Sequence, residues 1–382
     1  MTTLPTILDG LKVISMAEQF PGPYATMLLA DMGAEVILVE RPGFGDPSRF
    51  LPPFFEALNR GKKAVALDIK KPDDHARFLA LIADADIFLE GFRPGKLAKA
   101  GLGYADLSAV NPRLIYASIS GYGQDGPYRD RPGHDLSYQG VGGALFEHLH
   151  ADTDAPPSSL LLGDLGSAMF ATIGVLAALE ARHRTGRGTY IDVAMADSVA
   201  ALMTAPIALA ANGAADIAGP SAEPAYDIFR CNDGRWLTLS IAHEDDVWAR
   251  LMTTLGMPEF AKLCRHERTP RRSELKAAIA ARIAKDDYPF WEQKLEAADQ
   301  MFGPALDRTD VATDPHMAAR GMFAMLDRAD GSQQLVVRQP IKFADFANAD
   351  LSASPAVGQH NELILSADTA AMNEKEQQCP MH

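Results

Sequence analysis

The first 120 residues repeat one pattern: a short apolar run rich in branched residues, a Gly/Pro break, then apolar residues at helical spacing. Residues 11–17 (LKVISMA) read as a short buried strand. Phe20-Pro21-Gly22-Pro23 breaks it, and 24–32 is apolar at helical spacing until Gly33 ends the helix. Residues 35–39 (EVILV) form a second strand. A strand at 63–68, a helix at 72–83, a strand at 85–90, a helix opening at 95–100 and a strand at 114–120 continue the series. Apolar strands separated by helices pair in parallel with helices over both faces, so the chain is read as α/β with a doubly wound layer.

Further on, 164–184 is helical by its spacing of Met169, Ile173, Leu176 and Leu179, and Thr185-Gly186-Arg187-Gly188 turns into a strand at 190–193. At 213–223 the composition shifts to Ala, Gly, Pro and Ser, the signature of a linker. A second unit follows. Residues 226–230 and 236–240 flank Asn232-Asp233-Gly234, a hairpin signal, then come helical segments to about 299 and a tail with a strand at 334–338.

Length and charge narrow the function. A chain of 382 residues is long enough for roughly two domains. Its 50 acidic and 36 basic residues give a net charge of −14, against the basic face a nucleic-acid binder needs. A local basic cluster can still hold a small anion. The three cysteines are odd in number and far apart, which predicts neither disulfide framework nor metal knuckle and fits a cytoplasmic protein. No charged-then-apolar leader stands at the N-terminus. The apolar stretch 196–211 is interrupted by Asp197, Ser198 and Pro206, so it is read as a buried helix and not as a membrane span.

The first strand–turn–helix–strand unit invites a dinucleotide reading, with Glu40 where a ribose-binding acid would sit. The turn supplies one glycine where the phosphate-binding fingerprint needs three, so that reading is set aside. Basic residues gather near strand ends: Arg41, Arg49, Arg60, Lys62, Lys63 and Arg93. Any one of them alone reads as a solvated side chain. Arg41-Pro42-Gly43 and Arg93-Pro94-Gly95, however, follow directly on strands, where such sheets place ligands, and guanidinium groups suit phosphates. His134, in Arg131-Pro132-Gly133-His134-Asp135, and Asp164, in Gly163-Asp164-Leu165-Gly166, lie 30 positions apart in glycine-rich stretches. A base and a carboxylate so placed can move a proton, or the carboxylate can attack an acyl group. Asp164 also reads as a plain helix N-cap, and Glu244 as an acid favoured at a helix start.

Many ordered motifs resemble the class III CoA-transferase family, which includes the α-methylacyl-CoA racemases. They are Leu8-Asp9-Gly10-Leu11-Lys12-Val13, Pro21-Gly22-Pro23, Leu29-Ala30-Asp31-Met32-Gly33-Ala34-Glu35-Val36, Asn59-Arg60-Gly61-Lys62-Lys63, Gly91-Phe92-Arg93-Pro94-Gly95, Gly121-Tyr122-Gly123-Gln124-Asp125-Gly126-Pro127 and Asp314-Pro315-His316. The resemblance implies a Rossmann-like large domain at 1–212, a smaller α+β domain at 213–322, and a segment at 323–382 returning to the large domain. It also implies an interlocked, ring-like homodimer. The substrate it implies is an acyl-CoA thioester, with CoA as part of the substrate and no bound cofactor or metal. By motif, Val39, Arg41, Ala64, Val65, Ala66, Leu67, Arg93, Gly133, Asp135 and Tyr138 would meet CoA. His134, Asp164 and Glu244 match catalytic positions.

The resemblance leaves two reactions and one non-catalytic alternative. In a racemase, His134 and Asp164 face opposite sides of the α-carbon of a 2-methyl-branched acyl-CoA. One removes the proton and the other returns one through an enolate. In an intermolecular acyl-CoA:carboxylate CoA-transferase, ionised Asp164 is the covalent nucleophile and no histidine base is required. His134 at the racemase spacing makes the racemase the expected reaction. Gln19, Gln139 and Gly142-Gly143 look like the transferase branch. The third possibility, a CoA-thioester binding protein without catalysis, requires that neither residue face the thioester.

Overall fold

The computed structural model describes residues 4–150, 159–214, 223–328 and 330–366. These fall into two compact units, one running to Ile207 and resuming at Gly321, the other Ala208–Arg320.

In the first unit the elements are β1 (Lys12–Ser15), α1 (Pro21–Asp31), β2 (Glu35–Glu40), α2 (Pro52–Asn59), β3 (Lys63–Ala66), α3 (Pro72–Ala83), β4 (Ile87–Glu90), α4 (Tyr104–Val110), β5 (Ile115–Ser120), α5 (Asp135–Val141), α6 (Phe146–His150), α7 (Leu162–Thr185), β6 (Tyr190–Ala194) and α8 (Met195–Leu202); α9 (Thr204–Ala211) contains the boundary between the units. The six strands pair in parallel in the order β3-β2-β1-β4-β5-β6. Alternate residues face opposite layers. Val13, Val36, Ile87 and Ile119 pack with Ala25 and Leu29 of α1 and with Ala171 and Val175 of α7. Ile14, Ile37, Val65 and Phe88 pack with Phe78 and Ile82 of α3 and with Leu107 of α4. Burial on both faces is why these strands are continuously apolar. Each fully buried Leu, Ile or Phe contributes about 1.5–3 kcal/mol.

The second unit holds β7 (Tyr226–Arg230), β8 (Trp236–Ser240), α10 (Asp245–Leu255), α11 (Arg265–Arg268), α12 (Arg272–Ile283), α13 (Tyr288–Ala297), β9 (Phe302–Ala305), α14 (Arg308–Val311) and α15 (Pro315–Ala319). The hairpin forms as the Asn-Asp-Gly turn predicts, with Arg230 opposite Trp236 and Gly234 at φ +84°. β9 joins β8 antiparallel. Trp248, Leu251, Ile279 and Trp291 form its core. Back in the first unit, β10 (Phe323–Asp327) and β11 (Gln333–Val337) make an antiparallel ribbon.

Three expectations change. The helix expected at 95–100 is a turn ending in one 3-10 turn, Ala98–Ala100, closed by Gly101 at φ +70°. The stretch 196–211 is two helices broken at Met203; α9 has no buried residue, and Leu202, Ile207 and Leu209 are exposed. The linker expected at 213–223 lies largely outside the described residues. Among the described residues α7 is long and apolar enough to cross a membrane by length and composition, and half of its apolar window is buried in the unit.

Candidate active site

In a sheet of this order the connections reverse between β1 and β4, and a crevice opens beyond their carboxyl ends. The segments leaving those strands, Met16–Gly22 and Gly91–Pro94, both line a cavity of about 730 Å³. It also takes in His134, Tyr138 and Asp164 from the α5 and α7 region. The turn after β1 is tight. A Cβ on Gly22 would lie 2.0 Å from Ala17 Cβ, so only glycine lets α1 start there. Gln19, just before it, has φ 69°. The Asp46 carboxylate accepts its N–H at 3.0 Å and that of Ser48 at 2.7 Å, which holds this left-handed residue at the cavity wall.

Asp164 is not the cap of α7. The cap is Leu161, and Asp164 is in the first turn. Its N–H donates to Asp135 Oδ1 at 2.9 Å. Asp135, 5% exposed, also accepts from Gln139 Nε2, whose second donation goes to the Leu160 carbonyl at 2.9 Å. Burial, and then the negative Asp135, push the Asp164 carboxyl up to about 7. Tyr138 donates its hydroxyl to the Gly133 carbonyl at 2.6 Å and packs edge-on to Tyr122. Burial raises that phenol to about 12, so it is a neutral donor.

His134 is exposed at the start of α5. Among the described residues no hydrogen bond or ion pair orients its imidazole. His134, Asp164, Arg93, Gly133 and Tyr138 are therefore brought to one cavity, with Asp135 buried beneath it. Glu244 belongs to the other unit. It stands at the N-cap position of α10 without a side-chain bond to the helix, and its Oε2 accepts the Ala242 N–H at 3.0 Å; bonds from its own loop lower its carboxyl.

A second cavity of about 970 Å³ meets the first at Met16, Glu18 and Phe92. Val39, Arg41 and Leu67 line it, as do Lys70, Lys96 and Lys99. Ala64 and Val65 instead lie inside the sheet. The Ala64 and Ala66 amides donate to His360 Nδ1 at 3.1 Å and Asn361 Oδ1 at 2.8 Å. The other basic residues are structural. Arg49 pairs with Glu40 at 2.6 Å and Arg60 with Asp31 at 2.6 Å, and Lys63 pairs with Glu35. Lys62 is buried on Pro23 O, Thr26 Oγ1 and Asn59 Oδ1, and burial lowers its ammonium well below the usual lysine range. Both Glu40 carboxylate oxygens are already engaged, Oε1 by the Asp46 N–H and Arg49 Nε and Oε2 by Arg49, so its first role is to brace that arginine.

One network has only a faint sequence signal, an acid ending an apolar strand. Glu90, 5% exposed, accepts the Phe92 N–H at 2.7 Å and the Ser118 hydroxyl. Ser118 Oγ accepts from Gln124 Nε2 at 2.8 Å, and the Gln124 carbonyl accepts from Arg129 Nε at 2.8 Å. Two walls of the smaller cavity, the Phe92 and Arg129 segments, thus hang on one buried carboxyl, which burial raises to about 7. Among the described residues no group of three His, Cys, Asp or Glu side chains is placed to share a metal ion.

Comparison with known proteins places this geometry. Residues 8–361 match the model of CoA-transferase family III. The chain is 35% identical to an acetyl-CoA:oxalate CoA-transferase of Acetobacter aceti, over 82% of this chain and 85% of that one. It is 32% identical to a succinyl-CoA:glutarate CoA-transferase of Mus musculus, over 94% and 85%. Among solved structures, a CAIB/BAIF family protein from Brucella suis superposes with a TM-score of 0.83 at 32% identity, covering 95% of this chain and all of that one. The relatives are named transferases, so the racemase expected from the His134 spacing finds no support in them, and the transferase alternative fits better. An apolar-strand α/β layer, a crevice at its switch point and a match across nearly its whole length make the chain a member of CoA-transferase family III.

Proposed function

We propose that this protein is an intermolecular acyl-CoA:carboxylate CoA-transferase with Asp164 as its covalent nucleophile. One observation carries the reading. Of the His134/Asp164 pair lining the switch-point crevice, Asp164 is the half-buried, desolvated member, its backbone N–H fixed on Asp135, and His134 is the exposed one at the start of α5. A racemase needs both groups fixed on opposite faces of one carbon, whereas a transferase needs one carboxylate.

The CoA nucleotide would lie in the larger cavity, against Arg41, Lys70, Lys96 and Lys99, a basic cluster within an acidic chain. The pantetheine arm would pass Met16 and Phe92 to bring the thioester to Asp164. The Asp164 carboxylate attacks the thioester carbonyl, the C–S bond breaks, and an acyl-aspartyl anhydride and CoA thiolate form. The thiolate attacks the aspartyl carbonyl, releasing the donor acid and leaving an aspartyl-CoA thioester. The acceptor carboxylate attacks that thioester and expels the thiolate. Attack of the thiolate on the acceptor's acyl carbon then gives the new acyl-CoA and frees Asp164. Partial desolvation makes the carboxylate a stronger nucleophile than an exposed aspartate, and the positive end of α7 favours its charged form when substrate is bound. We also propose that Arg93 meets a CoA phosphate and that the enzyme works as a homodimer.

The test is incubation with a 2-methylacyl-CoA in D2O, with and without a carboxylate acid. CoA transfer on adding the acid, with no α-deuterium gained before it, is the expected result. Deuterium entering without any acceptor, and lost in His134→Ala, would restore the racemase.

A further inference from the structure

The loop leaving β5 forms a wall of the smaller cavity without entering the chemistry proposed above. Gly121, Arg129 and Arg131 of this loop line the cavity together with Asp164. Its backbone is pliant by composition, with Gly123 and Gly126 at φ +86° and +82°. One residue ties it down. Gln124 donates from Nε2 to Ser118 Oγ at 2.8 Å and from its backbone N–H to Asp192 Oδ2 at 3.0 Å. Its carbonyl accepts Arg129 Nε at 2.8 Å. Gln124 itself lines neither of the two cavities.

The anchors of Gln124 belong to the sheet. Glu90, Ser118 and Asp192 are register partners near the carboxyl ends of β4, β5 and β6, so their side chains project as a row from one face. Ser118 is fully buried and gives its hydroxyl proton to Glu90, which leaves its oxygen lone pairs for Gln124. On the other side, Arg129 carries the tie across to the exit of β4. A Cβ on Gly95 would lie 3.3 Å from Arg129 Nη2. One glutamine therefore joins the ends of β5 and β6 to the loop, and through Arg129 the loop meets the segment after β4. Such a network is stiffer than its separate bonds, because each one fixes the geometry of the next.

We propose that Gln124 is a positioning residue: clamped on Ser118 and Asp192, it holds the 121–131 wall in place and so keeps water from the covalent intermediates on Asp164. The inference rests on the transferase reading. That reading places an acyl-aspartyl anhydride and then an aspartyl-CoA thioester in the cavity, and both are electrophiles that water can attack. Water adding to the thioester carbonyl breaks the C–S bond. Its oxygen stays in the Asp164 carboxyl and a proton goes to sulfur, so free CoA leaves and the net reaction is hydrolysis of the donor acyl-CoA. Removing the Gln124 side-chain bond loosens the wall and admits water, while the nucleophile and the CoA contacts stay where they are. The residue therefore governs where the CoA goes more than how fast Asp164 is acylated.

The experiment pairs acetyl-, propionyl- and succinyl-CoA each with its own isotope-labelled acid. Label entering the acyl-CoA counts transfer, and free thiol appearing counts hydrolysis. Wild type, Gln124→Met, Ser118→Ala and the double variant are compared, with thermal melts as a check on folding. Gln124→Met should raise hydrolysis per transfer by about 5–30-fold, the population change that loss of one such bond brings. Ser118→Ala should do the same, and the double variant no more than either single one, because both remove one interaction. A fall in transfer and hydrolysis alike, with their ratio unchanged, would overturn the inference and leave Gln124 a scaffold residue. Additive effects in the double variant would overturn it too, since the Gln124–Ser118 bond would not be the route. Label exchange with none of the three pairs in wild type would instead overturn the transferase reading itself. A second measurement needs no turnover. Amide hydrogen exchange of the 121–131 peptide should quicken by about 5–30-fold in Gln124→Met, and unchanged exchange would also overturn the inference.

Discussion

Asp164 is held where its two protonation states are close to balance at neutral pH, and its function and its effect on stability pull in opposite directions. Only the carboxylate attacks a thioester, so kcat/KM rises with pH through about 7 and levels off above it. A pH-rate profile checks this, and a plateau already reached at pH 5 would contradict it. Asp164→Asn lowers turnover by on the order of a thousandfold or more, as removal of a covalent nucleophile does. Stability moves the other way. A carboxyl raised in the folded state adds stability below its unfolded value of about 3.8, and that contribution is lost as the pH rises through about 7. Asp164→Asn should therefore melt several degrees above wild type at pH 8, with the gap closing by about pH 4. Glu90 makes a separate prediction. Glu90→Gln keeps the shape but turns one acceptor oxygen into a donor, so either the Phe92 N–H or the Ser118 hydroxyl loses its acceptor. The acyl-CoA KM should rise about tenfold with a smaller change in kcat, and the pH dependence of that KM near 7 should disappear.

At the scale of elements, the strands were open to sequence reading because the sheet is covered on both faces: 11–17, 63–68, 85–90 and 114–120 each contain an observed strand, and 35–39 falls one residue short of β2. The ends of helices were less open. α1 begins at Pro21, inside the segment read as a break, because proline suits the first turn and Gly22 allows close contact with Ala17. Gly22→Ala should destabilise the first unit by about 1–3 kcal/mol, read as a shift in the urea midpoint. The long-range contacts of the site had no local signal. Asp46 holding Gln19, Asp135 holding the Asp164 amide and Glu90 holding Phe92 join residues by folding, and no periodicity encodes such pairs. The basic residues show the same limit. Arg41 and Arg93 face cavities, while Arg49, Arg60, Lys62 and Lys63 brace the scaffold, a distinction that depends on burial.

At the scale of the molecule, the residues matched by motif divide among two connected cavities, the buried sheet and support beneath them (Ala64, Val65, Asp135), and a second unit. The family could be recognised from ordered motifs along the whole chain, yet the choice between its reactions could not be read from the 30-residue spacing. That spacing reports chain length, and what separates a base from a bystander is how the imidazole is held. The proposed homodimer has its own check. Ile173, Leu202 and Ile207 on α7, α8 and α9 of the first unit are exposed apolar side chains of the kind subunits bury. Sedimentation should give twice the 41.2 kDa chain mass, and Ile173→Glu with Ile207→Glu should shift it towards monomer. Covalent attack by Asp164 leaves a trappable acyl-enzyme. Its most direct measurement is a rapid quench of enzyme and acyl-CoA without acceptor, followed by hydroxylamine trapping and peptide mass spectrometry. A hydroxamate on the Asp164 peptide, absent from Asp164→Asn, is the expected result; an unmodified peptide at full turnover competence would rule out covalent attack.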